Sequence, residues 1–117
     1  RENESGELCC YDDPSISPQE VLDAIPPESV DVMGVMHTSA NITGRGIETI
    51  KNVWSGPLSA YPDSGFFKMP DWQFEKILTP QELLDFSKEW YGMGTRILGG
   101  CCGLGPEHIQ ALLELKS

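Results

Sequence analysis

Short apolar stretches alternate with polar, turn-rich ones along this chain, and the period inside each stretch predicts an element. In Ser17-Pro18-Gln19-Glu20, Ser17 suits an N-cap, Pro18 the first helical position and Glu20 the third place of a capping box. A helix carrying Val21, Leu22 and Ile25 is predicted there, stopped by Pro26-Pro27. Residues 30–36 form an apolar run with β-branched residues between turn signals, which predicts a buried strand. Ile47 and Ile50 share one face of a helix predicted over 43–53, although Gly44 and Gly46 lower its propensity. Residues 57–61 read as a second strand. The aromatic, Gly- and Pro-rich residues 62–78 read as a long connection, a length often tied to function.

Thr79-Pro80-Gln81-Glu82 repeats the helix-start signature. Leu83, Phe86 and Trp90 then fall at helical spacing, with Gly92 as the expected C-cap. Residues 95–98 predict a third strand and 99–105 a glycine- and cysteine-rich turn. Pro106 opens a last helix, with Ile109, Leu112 and Leu113 expected inward. Residues 1–13 are polar and carry no clear period. Helices and strands thus alternate, which means an α/β structure with parallel strands and crossover helices. Three strands are too few to close a barrel, which needs eight strands and about 250 residues. The chain is therefore expected to be a piece of a larger α/β structure, or a subunit completed by association.

Charge narrows the partners. The 117 residues hold 18 acidic and 8 basic side chains, a formal net charge of −10. Such a surface repels a nucleic-acid backbone and an anionic membrane, so neither is expected as a partner. No apolar run approaches the roughly 20 residues of a membrane span, and no segment has the order of a signal peptide. A first residue of Arg1 rather than Met leads us to expect a chain taken from something longer. The four cysteines form two adjacent pairs, Cys9-Cys10 and Cys101-Cys102, an arrangement poorly suited to stapling distant loops. A reducing compartment, the cytoplasm, is expected.

The sharpest chemical feature is Gly99-Gly100-Cys101-Cys102-Gly103, just after a predicted strand. In parallel α/β folds, ligands gather at that end of a strand. Neighbouring side chains on an extended strand point to opposite faces, whereas a glycine turn lets two sulfurs converge on one ion. The competing reading is a pair of small buried apolar side chains. Two thiolates alone are too few ligands for zinc. Of the two histidines, His37 follows the strand at 30–36 and stands level with the cysteines in a parallel sheet, while His108 lies in the first turn of the last helix. His37 is the better candidate, with Cys9 and Cys10 as alternatives.

The motif Gly99-Gly100-Cys101-Cys102-Gly103 followed by Gly105-Pro106-Glu107-His108-Ile109 resembles the closing motif of the homocysteine S-methyltransferase family. Tyr61-Pro62-Asp63-Ser64-Gly65 is similar to that family's Tyr-Pro-Asn-Ser-Gly loop, with Asp63 in place of Asn. Trp72 and Trp90 sit where the family tends to place tryptophan, and Val32-Met33-Gly34-Val35-Met36-His37 matches its Gly-x-Asn-Cys strand in position. The resemblance runs from about Ser15 to Leu115. It implies the C-terminal portion of a (β/α)8 barrel, with residues 1–117 a partial homocysteine-binding domain that lacks the barrel's N-terminal half. It also implies a zinc ion on Cys101 and Cys102, with His37 where the family has its third cysteine, and Tyr61, Asp63, Gly99 and Gly100 along the substrate. The activity implied is methyl transfer to a thiol, homocysteine becoming methionine. The thiol loses its proton at the ion's open position and attacks the methyl group of a small-molecule donor. The alternative is a non-catalytic zinc-binding half-barrel that works by association. In either case another copy, or the missing half, is expected to cover the open sheet edges.

Overall fold

The computed structural model describes residues 1–64, 66–68, 70–73 and 76–116. Its elements run α1 (Pro18–Asp23), β1 (Met33–Ser39), α2 (Ala40–Lys51), β2 (Leu58–Asp63), β3 (Phe66–Lys68), β4 (Asp71–Gln73), α3 (Pro80–Gly92), β5 (Thr95–Leu98) and α4 (Pro106–Ala111). Single 3-10 turns occupy Pro27–Ser29 and Leu112–Lys116. The sheet order is β1-β2-β5, and both pairings are parallel.

Local chemistry sets the helix starts. Ser17 and Thr79 each accept the backbone N–H three residues on, while Glu20 and Glu82 reach back to the N-cap N–H groups. Both expected capping boxes are present. Ile47, Ile50, Leu83, Leu84 and Trp90 then bury their side chains over Met33, Leu58 and Ala60. Complete burial of an aliphatic side chain of this size contributes about 1.5–3 kcal/mol. Gly46 has a reason to interrupt the helix-forming run: a Cβ there would stand 2.8 Å from Cγ2 of Val35, so its absence lets α2 close on β1.

The described residues leave the other face of the sheet largely open. Register pairs Gly34 with Ser59 and Met36 with Tyr61, and places Ser59 beside Ile97; Met36 is 64% exposed. Both edge strands, β1 and β5, lack an outer neighbour among the described residues. A parallel sheet with helices on one face only is consistent with part of a barrel.

Five expectations shift. β1 begins at Met33 rather than at residue 30, because a 3-10 turn consumes Pro27–Ser29 and sheet contact starts with Met33 N–H donating to Pro57 O, 3.2 Å. It continues to Ser39, and α2 follows directly at Ala40, three residues early. Polar Thr38 and Ser39 look like loop, yet Ser39 is the N-cap and Thr43 Oγ1 donates back to its carbonyl at 2.9 Å. The connection 62–78 contains an antiparallel hairpin, β3-β4; Gly65 and the Trp72 side chain lie outside what is described. Gly92 remains helical, Met93 is the C-cap, and Gly94 takes the positive φ of 109°. In the last helix only Leu112 points inward: Ile109 is 42% and Leu113 56% exposed, and His108 takes an inward place. The six-residue α4 tightens into a 3-10 turn, which rotates the buried stripe off the 3.6-residue period.

Candidate metal centre

Two chain segments meet at the C-terminal ends of the strands. On β1 the pairing register slips between Met36 and Ser39, and His37 has φ 55°. A left-handed residue inside a strand breaks the two-residue alternation of side chains. The break turns the His37 ring toward the glycine–cysteine turn. That turn is tied to the end of β2 by backbone bonds: Gly99 N–H to Ala60 O (3.0 Å), Cys101 N–H to Pro62 O (2.8 Å) and Ser64 N–H to Cys102 O (2.8 Å). Gly103, at φ 80°, reverses the chain. Gly99 is required for close approach, since a Cβ there would stand 2.3 Å from the Tyr61 ring.

The result is a triangle of donors. Cys101 Sγ and Cys102 Sγ are 3.7 Å apart, and His37 Nδ1 lies 3.7 Å from the first and 3.9 Å from the second. Bonds of about 2.3 Å to sulfur and 2.0–2.1 Å to nitrogen with tetrahedral angles put ligand atoms about 3.5–3.8 Å apart. The donors therefore fit one face of a zinc tetrahedron, and all three are half-buried. Burial, and then the neighbouring Cys101 thiol, push the Cys102 thiol above its ordinary range. A cation beside the sulfurs would oppose this effect and favour the Cys102 thiolate.

Asp63, almost fully buried, places Oδ2 3.3 Å from His37 Nδ1. Burial raises its pKa, against smaller opposing pulls from His37 and the N-terminal amine. Tyr11 packs its ring against His37, with centroids 4.8 Å apart and planes tilted by 53°. Sequence reasoning missed Tyr11, which sits in a segment without periodicity. The structure orders that segment by an Asn3 turn, a bridge between Glu2 and Leu8, and Arg45 on α2, which bonds Glu2 and Gly6 O. Its neighbour Cys9 is buried with Sγ toward Arg1 O at 3.5 Å, and neither Cys9 nor Cys10 joins the donor cluster. His108 stands apart, with both ring nitrogens engaged by backbone groups. Tyr61 and Gly99 are packed together beside the turn, and Gly100 lies against Leu104. No described helix is long and apolar enough to cross a membrane.

Comparison with known proteins bears on this arrangement. The pattern that defines the family described as homocysteine S-methyltransferase matches residues 11–115. A betaine–homocysteine S-methyltransferase 1 from Bos taurus is 30% identical over 118 residues, covering 86% of this chain and 29% of that protein. The Pongo abelii protein of the same name is 28% identical over 126 residues, covering 85% of this chain and 31% of that one. An S-methylmethionine–homocysteine S-methyltransferase from Rattus norvegicus is 36% identical over 53 residues, 43% of this chain and 15% of its own length. The chain spans under a third of the length of these relatives.

Proposed function

This chain belongs to the homocysteine S-methyltransferase family, and from that premise we propose that it carries the zinc centre of an enzyme that methylates homocysteine to methionine. The observation that carries the reading is the donor triangle of His37, Cys101 and Cys102. These three residues would hold the ion, and two thiolates with one imidazole leave a Zn²⁺ site formally neutral with a fourth position open. A zinc ion bound there stabilises the substrate's thiolate at neutral pH.

The chain's own residues do the rest. Asp63 Oδ2 faces Nδ1, the same His37 nitrogen that would bind the ion, so the ion would replace that contact and leave the buried carboxylate beside it. Gly99, Gly100 and Tyr61 form the wall beside the sulfurs and line the substrate. In the transfer, the homocysteine sulfur's electron pair forms the new S–CH3 bond. The donor's heteroatom keeps the pair of the bond that breaks, and the thiol proton passes to solvent. The donors in the relatives' names, betaine and S-methylmethionine, each carry a methyl group on a cationic nitrogen or sulfur, which supports a small molecule of that kind as the donor.

Residues 1–117 are assigned as the C-terminal portion of a (β/α)8 barrel. The exposed sheet face and the edges of β1 and β5, which lack an outer neighbour among the described residues, support this, as surfaces for the other strands or for a second copy. Transfer requires thiolate and donor to be held in line and close together, so three strands alone are expected to bind metal without turnover.

The test is zinc analysis of reduced, desalted protein. One zinc per chain, lost in Cys101→Ser and Cys102→Ser, is expected. A reduced wild-type chain that retains no zinc after incubation with it overturns the reading.

A further inference from the structure

His108 is not used by the site described above, yet it is 4% exposed and belongs to the motif that closes the chain. Gly105 N–H donates to its Nδ1 at 3.0 Å. Nδ1 is therefore an acceptor, so in the neutral ring the proton sits on Nε2. That nitrogen contacts the Leu78 carbonyl, which only accepts, so the contact is Nε2–H donating to Leu78 O. The tautomer is fixed by two backbone groups 27 residues apart in sequence.

The bonds continue back to the sulfurs. Leu78 N–H donates to Ser64 Oγ at 2.7 Å, and Ser64 N–H donates to the Cys102 carbonyl at 2.8 Å. Cys102 is three residues before Gly105, and Leu104 N–H donates to Cys101 O at 3.2 Å. The ring is closed: Cys102, Ser64, Leu78, His108, Gly105 and back along the chain. Ser64 Oγ also lies 3.3 Å from Lys76 O, so one hydroxyl gathers both ends of the excursion that carries β3 and β4. Every link is a backbone group held by a side chain or by another backbone group, and the two side chains are Ser64 and His108.

We propose that His108 is a positioning residue for the metal centre: with Ser64 it clamps the 64–78 excursion onto the cysteine turn and so sets where the two sulfurs point. The proposal rests on the zinc reading through one of its two readouts and is independent of it through the other. Without the Nε2–H bond, Leu78 is released at one end. Ser64 then loses the partner that orients its hydroxyl, and the amide that pins Cys102 is freed to move. A triangle with edges near 3.7 Å tolerates little of this, since metal sites demand donor placement within about 0.5 Å.

Two variants test it in the full chain. His108→Asn puts an oxygen close to the place of Nδ1, so it keeps the bond that caps α4 and deletes only the arm to Leu78. Ser64→Ala cuts the ring on its other side and leaves His108 intact. The first readout needs no metal: amide hydrogen exchange at Ser64, Leu78 and Cys101, followed by NMR. Exchange at Ser64 is expected to speed up about tenfold in His108→Asn. The second readout is the affinity for zinc, and for cobalt(II) followed by its visible absorption; each variant is expected to lose about tenfold, the lower end for groups that orient metal ligands. The double variant should lose little more than either single one, because both cut the same ring. Unchanged exchange at Ser64 in both variants overturns the proposal, whatever happens to the melting temperature. Unchanged affinity in both, with wild type binding metal, overturns it too. If wild type binds no metal, the zinc reading fails by itself and the exchange experiment decides the clamp.

Discussion

His37 on β1 and Asp63 at the end of β2 meet across the sheet, Nδ1 to Oδ2 at 3.3 Å, with the carboxylate the more deeply buried partner. Burial raises the Asp63 pKa, so in the metal-free fold the ionised form is disfavoured relative to the unfolded chain. Stability therefore rises as pH falls through the folded pKa and is lowest, on this account, above it. Asp63→Asn removes the charge and keeps the shape. In chelator-treated protein it should raise the melting temperature at pH 7, and the gain should vanish at pH values below both pKa values of Asp63. The same change removes a negative charge next to the bound cation and should weaken zinc binding. Thermal unfolding across pH and chelator competition measure the two effects, which run in opposite directions.

Ligand changes at residue 37 separate its roles. His37→Ala removes one donor of three and should abolish zinc retention through desalting. His37→Cys supplies a thiolate and should keep one zinc per chain, since thiolate and imidazole both bind zinc well. Metal analysis of the reduced proteins decides between them. Full zinc in His37→Ala would exclude this histidine as a ligand.

Gly99→Ala tests how tightly the cysteine turn is seated. The new methyl group would meet the Tyr61 ring at 2.3 Å, and Gly99 lies two residues before Cys101. Either the ring or the turn must move, at a cost of about 1–3 kcal/mol. Urea stability and zinc affinity should both fall, whereas Gly92→Ala, helical and with open space around it, should leave zinc affinity unchanged and stabilise the fold by up to about 1 kcal/mol.

Leu83→Ala probes the packing that holds the helices on the sheet. Leu83 is fully buried between α3 and the core cluster. Truncation should cost about 2–5 kcal/mol in chemical denaturation. Leu83 contributes no group to the donor triangle or to the hydrogen bonds that seat the cysteine turn, so zinc affinity of the folded fraction should hold.

Local features of this chain were legible from its residues alone. The Ser17–Glu20 and Thr79–Glu82 capping boxes involve groups three residues apart, so their sequence signature and their hydrogen bonds are the same fact. The alternation of periods gave three strands and their helices, and the rarity of other solutions made the strands parallel. The motif with Cys101 and Cys102 pointed to its family, which the match over 11–115 bears out. Tertiary structure decided the rest, where partners lie far apart along the chain. A positive φ at His37 is not encoded by its neighbours; it goes with Asp63, 26 residues on, and with the turn at Cys101, 64 residues on. Tyr11 reaches His37 only because Arg45 and the Asn3 turn fold a polar segment back onto α2. His108 displaced Ile109 and Leu113 from the inward face because its two ring nitrogens find backbone partners at Gly105 and Leu78. Periodicity ranks side chains by polarity, and a buried histidine whose nitrogens are both satisfied escapes that ranking.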